Sequence, residues 1–418
     1  MIVPSGVRRT AVSEAQLLST APTIDATARN NCTSDTGFIS RMAQRDTRQL
    51  LGGHGPREFL ARFWHKEPLL VRDAVQECRD VVSRETLFAL ATRTEVESRI
   101  VHRRRTRYTV EHGPFTRARL AGLPMRDWTL LVQSVNLHDD AADALLRRFA
   151  FIPYGRLGDI MASYAAPGGG VGPHFDSYDV FLLQTQGRRR WRYGRQDDLA
   201  LRPGVPLRIL RRFTPQHDAT LAPGDMLYLP PHISHDGIAL DVCITCSIGF
   251  RAPLLQEIAE AFVDHLRDSI DIPGRYGDPD LRPSRNPARI DRALRSGFAK
   301  AIDGICWNKD DVTRFIGRFA SEPAPNVVFE PPTRLPRAAF ARRAKTNGIR
   351  LDRRTQLLYD DARYYLNGDD AAMPDVDRAA LQSLADRRKL SSLAVRGLAP
   401  VTIDLVYNWF CHGFLATA

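Results

Sequence analysis

Apolar and polar positions alternate with a period of two along the middle of this 418-residue chain, and with a period of 3.6 after Pro253. The first period marks strands, whose successive side chains leave opposite faces. The second marks helices with a single apolar stripe. Pro68–Val71 reads as a first strand, Ser98–Val110 as alternating strands and Trp128–Val135 as an apolar strand. Met226–Leu229 reads as a short buried strand after the tight turn Pro223-Gly-Asp225. Tyr178–Gln184 and Arg188–Tyr193 read as a hairpin that turns at Thr185-Gln-Gly187. Val242–Phe250 places Cys243, Thr245 and Ser247 on one face, and Val242, Ile244, Cys246 and Ile248 on the other. The face of small polar residues leaves room for a ligand, which makes Thr245 and Ser247 candidates to touch one.

Helices are expected around Phe59–Trp64, Arg84–Thr92 and Ala141–Phe149. Three further stripes follow: Ile258, Phe262 and Leu266; Leu294, Phe298, Ile302 and Ile305; Val312, Phe315, Ile316 and Phe319. Short amphipathic helices without a sheet bury little by themselves. These must pack on the strands or on a partner copy. Pro323–Pro336 contains five prolines and reads as an extended linker. Two strand-like runs, Thr355–Tyr359 and Arg363–Leu366, precede helices expected at Val376–Lys389 and Ile403–Phe414.

Composition narrows the class without naming it. Hydrophobic residues make up 43% and charged residues 26%, as in a soluble globular protein. No apolar run approaches the ~18 residues of a membrane span. The net charge of +11 invites a nucleic-acid partner, but only five of the 59 basic residues are lysine and the arginines are scattered. Charge therefore permits a nucleic-acid contact without establishing one. Six cysteines are dispersed, and Cys243-Ile-Thr-Cys246 sits inside a strand, where packing is the expected role. No disulfide framework is implied, which suits a reducing cytoplasm. Residues 1–45 are rich in Ser, Thr and Ala and read as a disordered tail, or as the product of an upstream start with Met42 as the true one.

The chemistry gathers between Met161 and Phe250. A glycine-rich turn, Pro167-Gly-Gly-Gly-Val-Gly-Pro-His-Phe-Asp176, delivers His174 and Asp176 at spacing i, i+2, on one face of an extended strand. Two histidines and one carboxylate with open positions suit an Fe(II) that must also bind a co-substrate and oxygen. Pro230-Pro-His-Ile-Ser-His235 offers the third ligand, from His232 or His235. In the second strand of the expected hairpin, Arg189, Trp191 and Tyr193 share the inward face, while Arg188, Arg190 and Arg192 share the outward one. A buried arginine needs an anion. Beside iron the natural one is a dicarboxylate co-substrate; the alternative is a protein carboxylate.

Gly168–Phe181, Gly187–Arg192, Pro223–Pro231 and Ser247–Pro253 together resemble the JmjC (cupin-type) 2-oxoglutarate oxygenases. Within these they are similar to the bacterial ribosomal oxygenases that hydroxylate an arginine of large-subunit ribosomal protein sixteen. Weaker likeness runs through Phe59–Trp64, His112–Phe115 and Trp128–Asn136. The resemblance implies a mainly β fold with added helices. A double-stranded β-helix barrel would occupy 46–255, a helical dimerisation region and Pro-rich linker 256–335, and a winged-helix-like domain 336–418. It implies His174, Asp176 and His235 as iron ligands, with His235 preferred because Asp236 and Gly237 follow it. It gives Arg189 the distal carboxylate of 2-oxoglutarate and makes Ser163 a co-substrate contact. Ala165 stands where the family often has a second serine.

The implied activity is an Fe(II)- and 2-oxoglutarate-dependent dioxygenase that uses O2 to hydroxylate the β-carbon of an arginyl residue. Its partners would be a ribosomal protein, a second copy of the chain as a homodimer, and ribosomal RNA where the charge permits. Histidyl hydroxylation of another ribosomal protein is the near alternative. A non-catalytic winged-helix regulator with a ligand-sensing barrel is a more distant one, and the intact His174, Asp176, His235 and Arg189 argue against it. A sugar-modifying cupin would present more histidine ligands and no inward arginine.

Overall fold

The structure, a computed structural model, describes residues 46–418; the tail and alternative start expected at 1–45 lie outside them. Eleven strands build its first part: β1 (Leu69–Val71), β2 (Ser98–Arg104), β3 (Arg107–His112), β4 (Trp128–Val132), β5 (Leu157–Ala165), β6 (Val180–Gln186), β7 (Arg189–Gly194), β8 (His217–Leu221), β9 (Met226–Leu229), β10 (Ser234–Ala239) and β11 (Cys243–Phe250). They form an eight-stranded sheet in the order β1-β9-β6-β11-β5-β4-β2-β3 and a three-stranded sheet in the order β10-β7-β8. Every pairing is antiparallel.

Two expectations need correction. The sheets do not close into a barrel; they face each other as two open layers. The expected hairpin from Tyr178 to Tyr193 does not form either. β6 pairs with β11 and β9, whereas β7 pairs with β10 and β8. The chain crosses between sheets at Gly187 (φ 62°), where a Cβ would run into the Val242 carbonyl. A glycine turn reports a change of direction, and here it changes the layer. β7 and β8 lie in the small sheet, then β9, β10 and β11 fall in the large, small and large sheets in turn, the winding of a double-stranded β-helix.

The period of two explains which side chains fill which layer. Ile160, Ala162 and Tyr164 of β5, Phe181 and Leu183 of β6, and Ile244, Cys246 and Ile248 of β11 share the large sheet's outer face. They pack with Phe59 of helix Pro56–Arg62, Leu87 of helix Arg84–Leu90, and Leu145 and Leu146 of helix Asp140–Arg147. The intervening positions Val180 and Leu182 turn inward and meet Trp191 and Tyr193 of β7. Cys243 and Cys246 are fully buried in these packing layers and unbridged.

Helices Leu255–Arg267, Arg292–Asp303 and Lys309–Ser321 follow. The last packs toward the C-terminal part, where Arg314 donates from Nε to Asp370 at 3.2 Å. A second core, including Phe340, Leu384, Val406 and Trp409, holds that part together. It is built around two three-stranded sheets, with β12 (Ile349–Leu351) central in one and β14 (Arg363–Leu366) in the other. Tyr154 donates from its hydroxyl to the Asp386 carbonyl at 2.9 Å, and Arg353 pairs with Asp140 at 3.2 Å. These contacts fix the C-terminal part against the sandwich.

Candidate active site

The loops entering β6 and β10 are joined by their own backbones. The His174 N–H donates to the His235 carbonyl at 2.9 Å, and the His235 N–H returns to the His174 carbonyl at 2.8 Å. That bridge sets the two rings with centroids 4.2 Å apart. Each ring is also oriented by its own loop. His174 Nδ1 lies 2.9 Å from the Gly172 carbonyl, and His235 Nδ1 lies 2.9 Å from the Ile233 carbonyl. With Nδ1 donating, each Nε2 keeps its lone pair for a metal. Burial holds the His235 ring far below its ordinary pKa, at about 4, and neighbouring His174 pushes it the same way. The ring is therefore neutral, as a ligand must be.

Asp176 completes the group, with Oδ2 3.6 Å from His235 Nε2. Ligand atoms of His174, Asp176 and His235 all lie within 4.8 Å of one another. His232 stands outside this cluster. Its backbone is left-handed (φ 65°), its side chain is exposed, and its N–H donates to the Asp176 carbonyl at 2.8 Å. It shapes the loop that carries Asp176.

Across the cleft, Arg189 is 5% exposed and donates from one Nη to Ser163 Oγ at 3.1 Å. Its Nε and other Nη have no partner, and no carboxylate pairs with it among the described residues. A buried cation with unmet donors is costly, so two N–H groups of a planar fork await an anion. Ser163, Thr245 and Gln184 stand in register across β5, β11 and β6. Ser163 donates to the Thr245 carbonyl at 3.3 Å, and Thr245 Oγ1 donates to Gln184 Oε1 at 2.8 Å. Ser247 lies half-buried one pair further along, opposite Met161. Trp191 links the two halves, its ring 5.8 Å from the Arg189 guanidinium and 5.9 Å from the His235 ring. A two-histidine, one-carboxylate donor set with an unpaired guanidinium nearby fits iron and a dicarboxylate together.

Sequence reasoning missed several residues here. Gln184 had a visible signal, as a polar side chain in the apolar run Val180–Thr185. Asp159 is raised in pKa by burial and accepts both the N–H and the hydroxyl of Ser134, each at 2.9 Å. Tyr178 is raised too, by burial and then by the carboxylates of Asp176 and Asp159. Asp236, next to His235, is fully buried and clamped by Arg103 (2.8 Å) and Arg192 (2.7 Å). Burial pushes its carboxyl up, but the two guanidiniums outweigh this and hold it below the usual range. Gly237 follows, and a Cβ there would meet the Trp191 ring at 2.7 Å. That close approach explains the glycine.

Comparison with known proteins agrees with this geometry. Residues 144–258 match the JmjC domain family, and residues 304–416 match the ROXA-like winged helix. The chain is 35% identical over 278 residues to the ribosomal protein uL16 3-hydroxylase of Escherichia coli, covering 66% of this chain and 74% of that one. It is 34% identical over 244 residues to a probable ribosomal oxygenase of Haemophilus influenzae, covering 57% of each. Among solved structures, the E. coli ribosomal oxygenase YcfD in complex with cobalt and 2-oxoglutarate superposes with a TM-score of 0.72 at 30% identity. That match covers 86% of this chain and 97% of the other.

Proposed function

This chain belongs to the JmjC ribosomal oxygenases, and on that premise we propose that it hydroxylates the β-carbon of an arginyl residue in ribosomal protein uL16, using Fe(II), 2-oxoglutarate and O2. One observation carries the reading: a three-ligand cluster faces a buried guanidinium that has two unpartnered donors. Iron, when bound, supplies oxygen activation coupled to oxidative decarboxylation of the oxoacid. His174, Asp176 and His235 would hold the metal. Arg189 would take the distal carboxylate as a bidentate pair, steadied by Ser163. Thr245 and Ser247 would line the co-substrate's flank, with Trp191, 5.8 Å from the Arg189 guanidinium, beside it.

The same reading divides the labour along the chain. Residues 46–255 carry the chemistry, 256–335 join two copies into a homodimer, and 336–418 form the winged-helix domain. Phe298, Ile302 and Ile316 support the dimer, being 58%, 64% and 57% exposed. No helix among the described residues is long and apolar enough to cross a membrane. A target on the ribosome and unbridged cysteines support a cytoplasmic location.

The test is succinate release by the iron-loaded chain with and without purified large-subunit ribosomal proteins, followed by mass mapping of the product. Target-stimulated release with one added oxygen on an arginine is expected. An added oxygen on a histidine would move the reading to the histidyl alternative, and no stimulation would overturn it.

A further inference from the structure

Around the smaller sheet the arginines other than Arg189 find carboxylates. Arg188 pairs with Asp241, Arg190 with Asp218, and Arg103 and Arg192 with Asp236. One group does not. Hairpin β2–β3 sets Arg104 directly opposite Arg107, and Arg105 at its turn is left-handed (φ 55°). Like charges facing each other across a strand pair destabilise it, and a left-handed arginine adds strain. The hairpin tip is tied to the segment 201–210, where Arg202 donates to the Thr106 carbonyl at 3.2 Å and Leu201 bridges Leu210. That segment is tied in turn to the ligand loop, the Leu210 N–H donating to the Pro173 carbonyl at 2.8 Å. Arg208 lies 5.6 Å over the ring of Phe175, between the candidate ligands His174 and Asp176. Arg104, Arg105, Arg107 and Arg208 are exposed, and none makes an ion pair among the described residues.

The target side chain does not explain this rim. An arginyl substrate carries the same charge and would be repelled by these guanidiniums. A group of exposed arginines with no carboxylate partner among the described residues instead suits a polyanion. Guanidinium forks match phosphate oxygens bidentately. We propose that the rim binds the phosphodiester backbone of RNA held by the target protein, so that the enzyme takes its substrate in an RNA-associated form. The choice of RNA rests on the ribosomal-protein reading above.

The test is anisotropy titration of a fluorescein-labelled RNA hairpin with the full chain, from 50 to about 200 mM salt, a range over which phosphate contacts weaken measurably. Wild type should bind with a log–log salt slope of about −3, as four phosphate contacts at roughly −0.7 to −0.9 each require. The triple variant Arg104→Gln/Arg105→Gln/Arg107→Gln should lose about two units of that slope, with its melting temperature no lower than wild type, since the like-charge pair is relieved. Unchanged affinity and slope in the triple variant would overturn the proposal. So would equal binding of a DNA duplex, or displacement by polyglutamate as effective as by unlabelled RNA. Succinate release with a free target peptide should be the same in wild type and variant. A chain that binds RNA but releases no succinate indicts the hydroxylase reading and leaves the rim standing.

Discussion

The sandwich and the helices behind it treat apolar residues in opposite ways. In the sandwich, Phe181, Leu183, Ile244 and Ile248 are all 1% exposed or less, and the groups left unmet are polar ones such as the Arg189 donors. In helix Arg292–Asp303 no residue is buried, and Phe298 and Ile302 stand more than half exposed. The first region is complete in its packing and incomplete in its chemistry. The second is complete in its backbone hydrogen bonds and incomplete in its packing. The unmet groups of the first suit the co-substrate proposed above, and the exposed apolar side chains of the second suit the proposed contact with a second copy.

Removing a ligand from the cluster should have the largest effect. His174→Ala or Asp176→Ala is expected to abolish stoichiometric Fe(II) binding and turnover in a protein that melts normally; retained metal in either variant would break the assignment. Next comes Arg189→Met, which keeps the stem and removes the fork. Loss of such a buried charge pair costs about 3–5 kcal/mol, or roughly two to four decades in 2-oxoglutarate affinity. Arg188→Met and Arg190→Met should change it little, because both pair on the opposite face. Titration of 2-oxoglutarate into the variants loaded with a redox-inert metal checks this. Equal losses at all three positions would mean that Arg189 has no special role.

The packing contrast is sharpened by matched truncations. Phe181→Ala should cost about 3–5 kcal/mol in denaturant unfolding, as a large cavity in a closed core does. Phe298→Ala should stay within about 0.5 kcal/mol in an isolated copy. A large loss at Phe298 that is independent of protein concentration would show that the helix packs on its own chain. Smallest in stability, but diagnostic, is Phe298→Glu/Ile302→Glu, expected to weaken self-association at least about tenfold, or 1.4 kcal/mol. Sedimentation at micromolar concentration measures it, and a wild type already monomeric there would sink the dimer.

The strands were legible because a period of two matched burial on two packed faces, as β5, β7 and β11 illustrate. What misled was the turn at Gly187, since local turn chemistry carries no information about which sheet receives the next strand. Arg189 was readable from its partners in period, Trp191 and Tyr193. Asp159 was not, because a polar residue in a strand can face either solvent or a cleft until the opposite sheet is in place. Periodicity alone left His232 and His235 open, and the preference for His235 came from the resemblance, through Asp236 and Gly237. The helical stripes were plain, but periodicity describes a face and never its occupant.

The paired histidines have one more consequence. Each ring is steered by a carbonyl two residues earlier in its own loop, and the loops are stitched by two backbone hydrogen bonds. If these residues hold the metal as proposed, loading should leave the far-ultraviolet dichroism unaltered while stabilising the fold by mass action alone, about 2.7 kcal/mol at a hundredfold excess over Kd. A zinc finger folds around its ion and takes whichever ion will fold it. Ligands whose spacing is set beforehand by their own backbone would instead select an ion by its size and preferred geometry.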